Sequence, residues 1–284
     1  MRGILYLCGT PIGNLEDITL RALNILKEAD AIAAEDTRNT KRLLNHYEIQ
    51  TPLTSYHEHN KYDKGRILIE MLNEGKSIAL VTDAGMPGIS DPGEELVKMC
   101  IEEGIEVTTI PGPTAFVSAL ILSGLSSRRF VFEAFLPRDK KERREVLNGL
   151  KNETRTIILY EAPHRLARTL KELEETLGNR KAAVVRELTK KFEEAIRMNL
   201  TEIIQSYEET PPKGECVIVL EGKSKEEVKK ESIEMWEQQS IEEHMNHYLK
   251  KNYAQKDAMK AVAKDRGISK RDVYKHLLAD KEDE

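Results

Sequence analysis

The sequence predicts an α/β protein, organised as two α/β domains followed by a small helical C-terminal segment. Three observations carry that reading. Apolar runs of strand length alternate with segments whose apolar residues recur at helical spacing, the signature of a mostly parallel sheet with helices on its faces. Polar clusters rich in Gly, Pro, Asp, Thr and Arg sit at the strand ends. Beyond Gly222 the composition turns abruptly charged and helical.

The elements follow in order. Ile4–Cys8 reads as a first strand, and Leu20, Leu23, Ile25 and Leu26 have helix spacing. Ala31–Ala34 is a second short run, and Leu43 and Leu44 sit on another helix. Ile78–Val81 is a strand, residues 94–104 a helix stopped by Gly104, and Glu106–Ile110 a strand. "IPGPTA" punctuates the chain there and reads as the junction between a first domain, 1–112, and a second, 113–222. In the second, "RFVFEAFLP", "RTIILYEAP", "KAAVVREL" and "GECVIVLEG" supply four strands, with helical patterns at 166–177 and 200–207. Residues 223–284 open with a charged linker or solvated helix. They continue as two short helices joined at Gly267-Ile268, with Ser269 and Asp272 in a capping-box pattern.

Composition narrows the function classes. With 284 residues, 33% charged and 5% aromatic, the chain has a well-solvated surface and an aliphatic core. Its apolar runs are too short to span a membrane, and the N-terminus is too short in apolar residues for a signal peptide. Cys8, Cys100 and Cys216, odd in number and set among apolar neighbours, read as buried free thiols in a reducing cytoplasm. A net charge of −5 argues against a globally basic nucleic-acid binder, so any such contact must rest on a local patch. One such patch exists: residues 248–278 hold nine Lys or Arg against three Asp or Glu. There Ala258, Ala261 and Val262 give one helix an apolar face, and Val273, Leu277 and Leu278 the next. Two such helices resemble a small helix-turn-helix module. The alternative is a hairpin that merely caps the fold.

Common site motifs are absent. "GTPIG" is not a dinucleotide fingerprint. Two "GKS" triplets lack the earlier glycine of a P-loop, with Glu70 and Val217 in its place. The pairs His57/His59 and His244/His247 have too few companions to complete a metal site. What stands out is "TDAGMPGISDPG" after the Ile78–Val81 strand, with three glycines, two prolines, two aspartates and a serine. Glycine loosens a backbone and proline stiffens it, so a loop using both is shaped around something. Six further polar clusters, "GTPIGN", "AEDTRNT", "SYHEHN", "IPGPTA", "YEAPHR" and "RELTK", suit a polar organic ligand beyond the carboxyl ends of the strands.

"YLCGTPIGNLEDITLRALNILKEADAIAAEDTRNTKRLL", "VTDAGMPGISDPG", "IPGPTAFVSALILSGL", "FLPR" and "YEAPHRL" resemble the tetrapyrrole-methylase superfamily, and the similarity covers nearly the whole chain. More closely they resemble its ribosomal-RNA branch, the small-subunit rRNA cytidine 2′-O-methyltransferases. The resemblance implies S-adenosylmethionine (SAM) in a cleft between two α/β domains, a cytoplasmic homodimer, small-subunit (16S) ribosomal RNA as substrate, and no metal. Pro11, Asp83, Ala84, Gly85, Pro87, Thr114 and Ala115 match cofactor-contacting positions, and Tyr160, Glu161 and Leu188 match more loosely. The implied reaction is in-line attack of a ribose 2′-oxygen on the SAM methyl group. Candidate catalytic residues are Glu35, Asp36, Arg38, His57, Glu58 and Asn60, with Lys190 a second candidate for polarising the nucleophile. Asp36 or Glu58 would accept a hydrogen bond from the hydroxyl and Arg38 would hold a phosphate. An ordinary ion pair at a domain interface is the alternative for each. Tetrapyrrole C-methylation and non-catalytic RNA binding remain open as other functions.

Overall fold

The runs Ala31–Ala34 (β2) and Ile78–Val81 (β4) are buried along their whole length. Strands covered on both faces by helices need continuous apolar side chains rather than alternation, so four such residues suffice. With β1 (Ile4–Cys8), β3 (Leu53–Ser55) and β5 (Glu106–Ile110) they form a sheet of order β3-β2-β4-β1-β5, parallel throughout. The computed structural model describes residues 2–209, 214–237 and 239–279.

Helices α1 (Leu20–Glu28) and α2 (Thr37–His46) pack one face of this sheet through Ala22, Leu26 and Leu44. Helices α3 (Lys61–Asn73) and α4 (Gly93–Glu102) pack the other through Leu68, Leu72, Leu96 and Cys100. The chain therefore leaves β1 toward one face and its neighbour β4 toward the other. That divergence is a topological switch point, and it opens a crevice at the carboxyl ends of the two strands.

A second sheet has the order β6-β7-β10-β8-β9, from β6 (Phe130–Phe135), β7 (Thr156–Glu161), β8 (Lys181–Arg186), β9 (Glu194–Asn199) and β10 (Cys216–Leu220). Only β6 and β7 run parallel; the other pairings are antiparallel. "Mostly parallel" thus describes the first sheet alone. Helix α5 (Ala115–Ser123) covers one face with Ala119 and Leu120, joined by Ile12 from the loop after β1. Helices α6 (Lys140–Leu150), α7 (Pro163–Leu177) and α8 (Leu200–Glu209) cover the other. Both sheets fall in one compact unit, Met1–Leu150 with Arg155–Glu221.

The other unit comprises Lys151–Thr154 and Gly222–Glu284. The Lys223 amide donates to the Glu153 carbonyl at 2.7 Å, and its ammonium to Asn152 Oδ1 at 3.3 Å. Helices α9 (Lys225–Glu237), α10 (Ile241–Lys250), α11 (Gln255–Asp265) and α12 (Lys270–Ala279) follow. The expected pair of helices, α11 and α12, is joined in its core by α10, which opens on a full capping box between Ser240 and Glu243. The Ser269–Asp272 box forms as the spacing predicts, with the Asp272 amide donating to Ser269 Oγ at 3.1 Å. The buried face differs in detail from expectation. Met259 and Ala263 join Ala258 and Val262 in place of half-buried Ala261, and Leu278 is exposed. No described helix is long and apolar enough to cross a membrane.

Candidate active site

The loop after β4 is fastened to the loop after β1 by a two-way bridge. Thr10 N–H donates to the Gly85 carbonyl at 2.9 Å, and Gly85 N–H donates back at 3.1 Å. Gly85 sits at φ +88°, where a side chain is strained. A Cβ on Gly9 would lie 2.7 Å from the Gly112 Cα, so the backbones leaving β1 and β5 touch with nothing between them. The Asp91 carboxylate holds the rest of the loop, accepting from the amides of Gly88 (2.9 Å), Ile89 (3.3 Å) and Gly93 (2.7 Å). The glycines and prolines of this segment therefore shape a wall, with Asp91 as its internal fastener.

That wall faces the carboxyl end of β7 and the loops around β8 and β10 across a cavity of about 400 Å³. Tyr160, Glu161, Leu188, Lys190, Glu215 and Val217 line the far side. Thr114 and Ala115 line it where α5 begins, and no side chain caps that helix end. Ser90, Glu187 and Thr189, on the loops that form these walls, adopt left-handed φ of 65°, 50° and 64° without being glycine. Such backbone costs about 1–3 kcal/mol per residue and persists where the surroundings enforce it, commonly at ligand sites.

Charge in the cavity is lopsided. Among the described residues, six carboxylates line it (Glu35, Asp83, Asp91, Glu161, Glu187 and Glu215) against one cation, Lys190. Lys190 is already paired with Glu187 at 2.9 Å. Glu161, almost fully buried, faces Arg165 at 3.4 Å and Arg143 at 4.0 Å and accepts from Thr169 and the Ala162 amide. Its charge is matched from within, and it fixes the turn that opens α7. Glu35, Asp83 and Glu215 make no ion pair among the described residues, which leaves the cavity acidic. Glu35 Oε2 accepts from Thr82 Oγ1 at 2.8 Å.

Of the residues singled out in the sequence, Glu35, Asp83, Ala84, Gly85, Thr114, Ala115, Tyr160, Glu161, Leu188 and Lys190 line the cavity. Pro11, Pro87, Asp36, Arg38, His57, Glu58 and Asn60 do not line it. Asp36 caps α2, accepting from the Arg38 amide at 2.8 Å, and its own N–H donates to Asp83 Oδ1 at 3.1 Å. The guanidinium of Arg38, 2.7 Å away, holds the Asp36 carboxyl down to about 2. Asn60 braces its loop through the His57 amide (2.8 Å) and Ser55 Oγ (3.2 Å), while Glu58 pairs with Lys61 at 2.6 Å. The Tyr56 hydroxyl donates to the Pro92 carbonyl at 3.1 Å, tying that loop to the wall. Met86, Ile89, Phe135, Glu187, Glu215 and Cys216 also line the cavity and were not singled out. Met86 and Glu187 lie within the quoted segments "TDAGMPGISDPG" and "RELTK", and Phe135 opens "FLPR"; membership of those segments is the signal that could have found them. Among the described residues no group of three or more His, Cys, Asp or Glu is placed to hold a metal ion.

Known proteins share this architecture. A uroporphyrin-III C-methyltransferase from Thermus thermophilus superposes with a TM-score of 0.55 at 21% identity, covering 77% of this chain and 94% of that one. At that identity the likeness concerns the fold. A protein of Halalkalibacterium halodurans named ribosomal RNA small subunit methyltransferase I is 53% identical over 96% of this chain and 94% of its own length. The Bacillus subtilis protein of the same name is 53% identical over 96% and 93%. Residues 4–204 match the family described as Tetrapyrrole (Corrin/Porphyrin) Methylases. Since that match takes in well over half of the chain, including the whole first sheet and most of the second, the chain belongs to the tetrapyrrole methylase family.

Proposed function

We propose that this chain is a SAM-dependent methyltransferase acting on the 2′-oxygen of a cytidine ribose in small-subunit (16S) ribosomal RNA. The observation that carries the reading is the acidic cavity at the switch point, in a chain 53% identical over nearly its whole length to rRNA small subunit methyltransferases.

The residues present fit the donor. Its sulfonium and α-ammonium are cations, and Asp83, Glu35 and Glu215 offer uncompensated carboxylates. Its carboxylate suits the uncapped amides that open α5. Its adenine ring suits the apolar wall of Ile12, Leu188 and Val217. Bound there, SAM supplies a methyl group on a positively charged sulfur, an excellent leaving group that needs no Lewis acid.

The chain's own residues must then align the ribose hydroxyl and take its proton as the oxygen–carbon bond forms. Glu35 is the carboxylate of the candidate catalytic set that lines the cavity. One of its oxygens is engaged by Thr82, leaving the other for a hydroxyl. Asp36 would act through its amide, which positions Asp83, and Arg38 at the exposed start of α2 would meet a phosphate. His57, Glu58 and Asn60 would brace the wall rather than touch substrate.

Two further parts of the proposal concern partners. Lys250, Lys251, Lys256, Lys260, Lys264, Lys270, Arg271 and Lys275 of the C-terminal helices are exposed, which suits phosphate contact in the cytoplasm where ribosomal RNA is found. A homodimer is supported by the outward face of α5, where Val117 and Ile121 are 41% and 72% exposed. Ile121→Lys should shift the mass measured by light scattering to that of a monomer.

The deciding experiment incubates the protein and labelled SAM with small subunits lacking the modification, followed by nuclease digestion. Label in 2′-O-methylcytidine is expected. Label transferred instead to uroporphyrinogen would move the chain to tetrapyrrole chemistry, and SAM binding without any transfer would leave an RNA-binding protein.

A further inference from the structure

Strand β6 contains a bulge whose effect is to turn one aromatic ring into the cavity. Phe132 pairs with Ile158 and Phe135 with Tyr160, so three residues of β6 span two of β7. The extra residue is accommodated at Ala134, whose φ is +49°. Side chains on a strand alternate, and Val131 packs toward α6–α8 while Phe132 packs toward α5. Without the bulge, Phe135 would follow Val131 into the α6–α8 core and Leu136 would follow Phe132. With it, Leu136 is 2% exposed in the α6–α8 core, and Phe135 shares the face of Tyr160 and lines the cavity.

Phe135 ends an aromatic ladder. Phe116 stacks on Phe132 with centroids 4.5 Å apart, Phe132 meets Tyr160 edge-on at 5.0 Å, and Tyr160 meets Phe135 at 5.5 Å. The first three rings are packed, whereas Phe135 is 50% exposed. A fold that spends a left-handed alanine to bring a phenyl ring out of the core and leave half of it bare has an open π-face at the cavity.

The cavity's own charge limits what can lie on that face. Glu35, Asp83 and Glu215, which no cation among the described residues pairs, repel phosphate, and Lys190 is already engaged by Glu187, so an RNA strand presents sugar and base there with its phosphates outside. A ribose held for 2′-oxygen transfer carries its base within a few bonds, and stacking on an aromatic ring is how proteins hold unpaired RNA bases.

We propose that Phe135 is the stacking platform for the base of the target nucleotide, a specificity and positioning contact on the substrate side of the cavity. The proposal rests on the rRNA methyltransferase reading above.

The test uses the full chain, small subunits lacking the modification and three variants: Phe135→Leu, Phe135→Ala and Phe135→Tyr. Leu keeps apolar bulk without a ring, and Tyr keeps the ring. For Leu and Ala, KM for the subunit should rise roughly ten- to hundredfold, the range expected for loss of one base stack. Tyr should stay within about threefold of the parent. Calorimetric SAM affinity, thermal midpoint and oligomeric mass should be unchanged in all three. A Leu variant as efficient as the parent would overturn the proposal, because the ring would then be dispensable. A parallel loss of SAM affinity in Leu and Ala would also overturn it, assigning the ring to the donor. A parent protein that transfers no methyl group to the subunit would sink the functional reading itself and this proposal with it, an outcome distinct from the other two.

Discussion

Gly85 sets the scale at which single residues matter here. It sits at φ +88° and exchanges two hydrogen bonds with Thr10, so a branched side chain strains the backbone and intrudes on the cavity wall. Gly85→Val should weaken SAM binding by about 2–3 kcal/mol, by calorimetry on a variant shown to be folded by circular dichroism. Unchanged affinity would remove the loop from the donor site. The three cysteines give a second residue-scale expectation. Burial pushes Cys8, Cys100 and Cys216 up to about 12, so each stays a thiol at pH 8 even though Cys216 borders the cavity. Since only thiolates alkylate, iodoacetamide at pH 8 should label the native protein roughly a thousandfold more slowly than the unfolded chain. Fast labelling of Cys216 in the native state would show it to be a reactive group of the site.

Among elements, the α9–α12 unit carries its own reporter. Trp236, the sole tryptophan, stacks on fully buried His244 with centroids 3.4 Å apart, and Tyr248 lies on α10 beside it. Arg266 Nε donates to His244 Nδ1 at 3.2 Å, which leaves the proton on Nε2, facing Asp265 at 3.4 Å. Burial first, then the Arg266 charge, lowers the His244 pKa below its ordinary 6.5, while Asp265 opposes the shift and His247 adds to it. A histidine with a depressed folded pKa binds its proton more readily when unfolded. Its contribution is therefore complete above pH 6.5 and lost as pH falls through the folded value. The urea midpoint read from Trp236 fluorescence should drop between pH 7.5 and 5.5, and His244→Phe should flatten that drop. A midpoint independent of pH in the parent would mean that folding leaves the pKa of His244 where it is in the unfolded chain.

For the whole molecule, the proposed action on RNA requires an acidic chain to concentrate its positive charge. Among the described residues, eight exposed Lys or Arg between Lys250 and Lys275 do so in a protein of net charge −5. Each phosphate contact contributes about −0.7 to −0.9 to the slope of log affinity against log salt. A chain ending at Gly222 should bind SAM as the full chain does, bind small subunits more weakly and show a shallower salt slope. Normal methylation with an unaltered slope would reduce these helices to a cap on the fold.

Much of this was legible in the sequence because it is local. The bounds of β2 and β4 follow from runs of apolar residues buried along their whole length, and the Ser269–Asp272 box from residues three apart. The loop 83–93 announced itself because glycine and proline have no other reason to crowd there. What escaped was whatever depends on a partner distant in the chain. β3 has three half-buried residues and becomes a strand only by pairing with β2; β9 is an edge strand interrupted by charge. The sequence shows His57 and Asn60 only by type; that Asn60 accepts from the His57 amide and donates to Ser55 Oγ, and that Tyr56 beside them reaches the Pro92 carbonyl, appears only in the fold. Glu161 lines the cavity, but its partners Arg143 and Arg165 cannot be read from its neighbours in the chain. The aim of Phe135 hangs on one extra residue in β6, and side-chain parity cannot be read until the pairing with β7 is known. Composition and spacing thus determined the elements and the region of the cavity, since those follow from near neighbours. Which carboxylates stay uncompensated and which ring faces the ligand were decided only when the tertiary structure brought the distant partners together.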